Sequence, residues 1–123
     1  MNPHDLEALI DTHLQAYADA DRTRRSAAVA RVWAEDGGLI DPPLAAQGRH
    51  EIVVQAETLL SQFPGHSFRR HTAIDAHHGH ARYGWQLCNA QGTVVLEGLD
   101  VARVGDDGRL QQVVGFFGTL APR

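Results

Sequence analysis

A chain of 123 residues with 43% apolar and 21% charged residues is the size and balance of one ordinary globular domain spanning residues 1–123. Its net charge of −4 argues against nucleic acid as a partner, because such a face is normally a concentrated basic one, and the single Cys88 excludes an intrachain disulfide. Met1-Asn2-Pro3-His4-Asp5 has neither the basic nor the apolar part of a signal peptide, and no run approaches ~20 apolar residues, so the expected setting is cytoplasmic, with no membrane partner.

Pro3 suits a first helical position, and Leu6, Leu9, Ile10, His13/Leu14, Tyr17 and Ala18 follow at helical spacing. This predicts a first helix closed by Asp19, Asp21 and Arg22. The basic run Arg22-Thr23-Arg24-Arg25 is expected to be a solvated connection. Ser26 is a plausible N-cap for a second helix to about Ala34, with Val29, Val32 and Trp33 on one side. Glu35-Asp36-Gly37-Gly38 should stop it. Leu39-Ile40-Asp41 then reads as a short strand ended by Pro42-Pro43, which cannot continue a central ladder.

Gly48-Arg49-His50 opens a third helical pattern, with Ile52, Val53, Ala56, Leu59, Leu60 and Phe63, and Pro64-Gly65 terminates it. Beyond this point the periodicity becomes alternating. Four strands are predicted over Ser67–Asp75, His80–Cys88, Thr93–Val104 and Arg109–Gly118, separated by turn signals. Helices first and a strand meander afterwards mean a segregated α+β fold, in the order α-α-β-α-β-β-β-β. Gly84, Gly98 and Gly115 inside long strands suggest the bends that curve a sheet. A strongly curved sheet under helices encloses a cavity.

The segments Val32-Trp33-Ala34-Glu35-Asp36, Ile40-Asp41-Pro42, Gly48-Arg49, Pro64-Gly65 and Arg82-Tyr83-Gly84-Trp85 resemble, in order and spacing, those of the NTF2-like superfamily. Gly98-Leu99-Asp100-Val101, Asp107-Gly108-Arg109-Leu110 and Gly115-Phe116-Phe117 extend the resemblance over nearly the whole chain. It is closest in kind to the SnoaL-like polyketide cyclase and ketosteroid isomerase-like branch. The resemblance implies a cone of three N-terminal helices on a strongly curved mixed or antiparallel sheet. For activity it implies a range: isomerases, aldol-type cyclases, dehydratases, epoxide hydrolases, and domains that bind a ligand or assemble without catalysis.

Asp100 is the first candidate for chemistry. With a four-residue turn at Asn89–Gly92, Asp100 lies opposite Ala81, Gly98 opposite Tyr83 and Leu96 opposite Trp85. Alternation then places Asp100, Tyr83 and Trp85 on one face with small residues between them. An apolar surface with a few placed polar groups is the composition of a small-molecule pocket, and desolvation there would raise the carboxyl pKa. In the resembling cyclases and isomerases a pocket carboxylate removes a proton next to a carbonyl, which implies that role for Asp100. A register one residue different would instead pair Asp100 with Arg82.

The resemblance implies a carboxylate near the cavity, which makes Asp41, before Pro42 at the mouth of the cone, a candidate second acid or base; the alternative is the start of an Asp-Pro turn. His71, read as lying inside a strand, is a proton donor or relay, or else an edge residue. Tyr17 and Trp33 should face the sheet as core or pocket wall, with Tyr17 able to donate to an enolate oxygen. Phe116 and Phe117 fall on opposite faces of the last strand, with Phe116 taken as the cavity-lining one. His77-His78-Gly79-His80 reads as an exposed turn, and no metal or cofactor is expected. The expected partner is a small hydrophobic molecule, plausibly a carbonyl compound. A homodimer through the uncovered outer face of the sheet is also expected. The rival to an enzyme is a domain that binds a small hydrophobic ligand, or dimerises, without turnover.

Overall fold

The computed structural model describes residues 1–123. Helix α1 (Pro3–Tyr17) starts as its sequence dictates: the Asn2 side chain accepts from the Asp5 amide at 2.9 Å and Pro3 takes the first turn. Helix α2 (Arg22–Val32) starts four residues before Ser26, because Asp21 caps it through the Arg24 amide. The basic run is therefore its first turn and not a loop. Arg25 is buried, reaching Glu57 at 2.9 Å and the Asp19 carbonyl.

The second correction is at Trp33. It does not sit within the helix but opens strand β1 (Trp33–Asp41), which runs back through Glu35–Gly38. An irregularity between Trp33 and Gly38 absorbs extra residues against the facing strand. After Pro42-Pro43 the chain returns as β2 (Leu44–Gln47), an antiparallel partner absent from the sequence reading. Helix α3 (Arg49–Gln62) follows Gly48, whose φ of 86° needs glycine. The Arg49 guanidinium donates to the Trp33 carbonyl from Nε and Nη2 at 3.0 and 2.7 Å, tying α3 to the start of β1.

The stretch read as one strand over Ser67–Asp75 is two: β3 (Ser67–Arg70) and β4 (Asp75–His77). Residues 71–74 leave the ladder between them. Strands β5 (His80–Cys88), β6 (Val94–Val104) and β7 (Leu110–Phe117) match their predicted bounds to within a residue. The sheet has seven strands in the order β2-β1-β7-β6-β5-β3, with β4 also on β5. All pairs are antiparallel except β1 with β7. The class is α+β, three helices on a mixed curved sheet. No helix is long and apolar enough to cross a membrane.

The core joins α1, α2 and α3 to the inner sheet face through Ile10, Val29, Trp33, Ile52, Leu87, Leu110 and Val113. Between this core and the mouth of the cone the packing opens into a cavity.

Candidate functional site

Register decides which side chains meet in this cavity. Tyr83 pairs with Asp100 and Asp100 with Gly115, while on β1 Asp41 follows Ile40, the partner of Val114. A row Tyr83, Asp100, Gly115, Asp41 thus crosses four strands. The next row is Trp85, Gly98, Phe117. The hairpin is two residues away from the expected register, so Asp100 faces Tyr83 instead of Ala81. A shift of two preserves sidedness, so the residues assigned to the inner face stay there. Arg82 is on the outer face, paired with Asp75 at 2.8 Å, so an Asp100–Arg82 ion pair is not formed.

Two glycines make the arrangement possible. A Cβ on Gly115 would come within 3.1 Å of both Asp100 Oδ1 and Asp41 Cβ. Its absence lets the Asp100 carboxyl and the Asp41 side chain approach each other over β7. A Cβ on Gly98 would collide with the Phe116 carbonyl and the Trp85 ring. Glycine there lets the indole lie flat enough to bring Nε1 within 2.9 Å of Asp100 Oδ1. The Tyr83 hydroxyl donates to Oδ2 at 2.9 Å.

The cavity has a volume of about 330 Å³, within the range of small-molecule sites. Its wall is mostly apolar: Leu14, Leu39, Pro42, Leu44, Phe63, Phe68, Leu96 and Phe117 surround the polar side chains of His13, Tyr17, Asp41 and Asp100. This composition sets the protonation states. Burial, only partly offset by the Tyr83 and Trp85 bonds and reinforced by Asp41, pushes Asp100 up to about 7. Desolvation raises half-buried Asp41 to about 6. Burial first, then the charge of Asp41, keep the Tyr17 phenol protonated well above its usual range; Gln55 opposes this and the charge of Asp100 adds a smaller push. Tyr83 is raised by burial and by the charge and hydrogen bond of Asp100, and remains a donor.

The structure sorts the expected site residues. Asp41, Asp100, Tyr17 and Trp85 line the cavity together. Trp33 is 0% exposed and lies behind the wall, edge-on to His13 at 5.4 Å. Tyr83 is also buried, behind Asp100 and not against the open space. Phe116 is on the outer face, 53% exposed, paired with Leu99. Phe117 is the one that turns inward, its ring 5.8 Å from Trp85. His71 is not in a strand: it is exposed and lies over Gly84 on the outer face, where the Gly84 amide donates to Thr72 Oγ1 at 2.8 Å. The sheet therefore separates it from Asp100. His13 is the site residue that sequence reasoning passed over as a position on the helix stripe. Its spacing one turn before Tyr17 was the available signal.

No protein-family model matches the chain, and neither does any curated protein. Among solved structures, a candidate isomerase of the SnoaL-like family from Agrobacterium tumefaciens superposes with a TM-score of 0.88 at 30% identity, over 94% of this chain and 99% of that one. The chain belongs to the SnoaL-like family. Two more distant structures share the SnoaL-like fold. One is a candidate polyketide cyclase from Sinorhizobium meliloti (TM-score 0.70, 15% identity, 94% and 99% covered). The other is an NTF2-like protein of unknown function from Exiguobacterium (TM-score 0.68, 12% identity, 91% and 99% covered). Within this SnoaL-like cone, Asp41 and Asp100 are the two carboxyl groups that line the cavity.

Proposed function

We propose that this SnoaL-like protein is a cofactor-independent isomerase or cyclase that takes a proton from the carbon next to a carbonyl of a small apolar compound. The observation that carries the reading is the Asp41–Asp100 pair: two carboxyls lining one apolar cavity on neighbouring sides of Gly115, with pKa values of about 6 and about 7. Two carboxyls whose environments separate their affinities for a proton divide acid from base.

At neutral pH Asp41 is the mainly ionised member. It makes no hydrogen bond to the chain, whereas each Asp100 oxygen already accepts one. Asp41 therefore takes the proton, and Asp100 is the acid or fixed polar partner, the reverse of the emphasis that the sequence suggests. As the C–H bond breaks, its electron pair forms the C=C bond of the enolate and the carbonyl π pair moves to oxygen. The Tyr17 O–H donates to that oxygen. The carbonyl itself receives the electrons, so the step needs no cofactor. Return of the proton to another carbon gives isomerisation; attack of the enolate carbon on a second carbonyl gives an aldol-type ring closure.

A binding domain without turnover is the second reading, favoured by the full set of bonds on Asp100. Deuterium exchange separates the two. With 2-tetralone in D2O, the wild-type protein should speed loss of the α-proton NMR signal above the buffer rate. Asp41→Asn should lower that rate by about 10²-fold or more, and Asp100→Asn by less. Binding of the ketone without exchange would leave the binding reading.

We also propose a homodimer in which the outer face of one copy covers that of another. Ile40, Leu99 and Phe116 are exposed there, with Val101 and Val114 between them. No helix covers this side.

A further inference from the structure

Helix α1 brings two polar rings to the cavity, Tyr17 and, one turn earlier, His13, ~6 Å apart along the helix axis. They occupy different electrostatic surroundings. Both carboxylates act on Tyr17, whereas burial alone acts on His13 and holds it down at about 4. The His13 ring is 3% exposed, edge-on to Trp33 and 5.9 Å from Tyr17.

A neutral imidazole has one donor and one acceptor. The ring-nitrogen bonds of this chain belong to His66, His77, His78 and His80; His13 makes none. The His13 ring lines the cavity, and beside it Trp33 Nε1 and, near Tyr17, Gln55 Nε2 are fully buried without partners. Buried polar groups are nearly always satisfied. A residue needed only for packing between Trp33 and Tyr17 would be better served by leucine or phenylalanine.

We infer that His13 is a second polar anchor of the cavity, so that the ligand is an apolar compound with two oxygen functions. The reacting carbonyl lies at the Tyr17–Asp41–Asp100 end. A hydroxyl or second carbonyl hydrogen-bonds to His13. This rests on the cavity being the ligand site, as proposed above, and adds the ligand's chemical class and a specificity-determining residue.

The test uses the full chain labelled with ¹⁵N-histidine at pH 7 and two probes, 2-tetralone and 6-hydroxy-2-tetralone. The hydroxylated probe should bind about tenfold more tightly and shift the His13 ring nitrogens, while 2-tetralone leaves them in place. His13→Phe should retain affinity for 2-tetralone and lose the tenfold preference; His13→Gln, which keeps a donor and an acceptor, should recover part of it. If 2-tetralone binds and exchanges but the wild type shows neither preference nor a ring shift, the anchor is wrong and the proposed function stands. If neither probe binds, both are wrong. Should His13→Phe not fold, the wild-type comparison decides alone.

Discussion

Asp100 is buried as a carboxyl whose charged form the fold disfavours, and this has a consequence for stability. In the unfolded chain it titrates near 3.8, and in the folded chain at about 7. Between those values the folded state holds a proton that the unfolded state has released, so stability falls as pH rises. His13 acts in the opposite direction. Its folded value of about 4 lies below the ordinary 6.5, so stability is lost as pH falls through that window. The difference in unfolding free energy between Asp100→Asn and wild type should therefore grow in favour of the variant from pH 4 to pH 7. Its full extent is roughly 3–4 kcal/mol, measurable by denaturant unfolding at each pH. A difference independent of pH would mean that Asp100 is not desolvated. Alternation and helical spacing place Asp100, Trp85 and Tyr17 on the cavity side, since a two-residue slip preserves sidedness, whereas Asp41 is reached through the family resemblance. It missed His13, whose importance comes from what surrounds it and not from its neighbours in sequence.

At the scale of elements, the long C-terminal strands were legible and the joints were not. Strands β5, β6 and β7 have unbroken alternation and turn residues at both ends. The α2–β1 junction has no such mark: Trp33 to Gly38 mixes acidic residues with glycines, a helix-stop pattern that tertiary pairing with β7 turns into strand. Likewise Arg70 carries on the alternation of β3, but residues 71–74 leave the sheet and place His71 outside. Arg49 holds the ambiguous junction by its two bonds to the Trp33 carbonyl. Arg49→Lys cannot make that fork. It should lower stability by about 1–2 kcal/mol, and thermal unfolding that matches wild type would remove this role.

For the whole molecule, the curved sheet gives two faces of different character. The concave face holds the cavity; the outer face presents Leu99 and Phe116 as a cross-strand pair in solvent. Phe116 and Phe117 were separable in sequence as opposite-facing, but which one turns inward depended on the β6–β7 register. If the outer face is the dimer contact, light scattering at micromolar concentration should give twice the 13.5 kDa chain mass. Phe116→Glu should give a folded monomer. A wild-type monomer would exclude the contact.

The cone brings two desolvated carboxyls to one cavity, and their surroundings separate their proton affinities. Carbon-detected NMR titration of the aspartate side chains, with Asp41→Asn and Asp100→Asn for assignment, tests this most directly. The account predicts two titrations raised to about 6 and about 7, with that of Asp100 falling when Asp41 is neutralised. Both groups titrating near the ordinary carboxyl value of ~4 would mean a solvated cleft without a poised pair, and would contradict the proposed proton-transfer site.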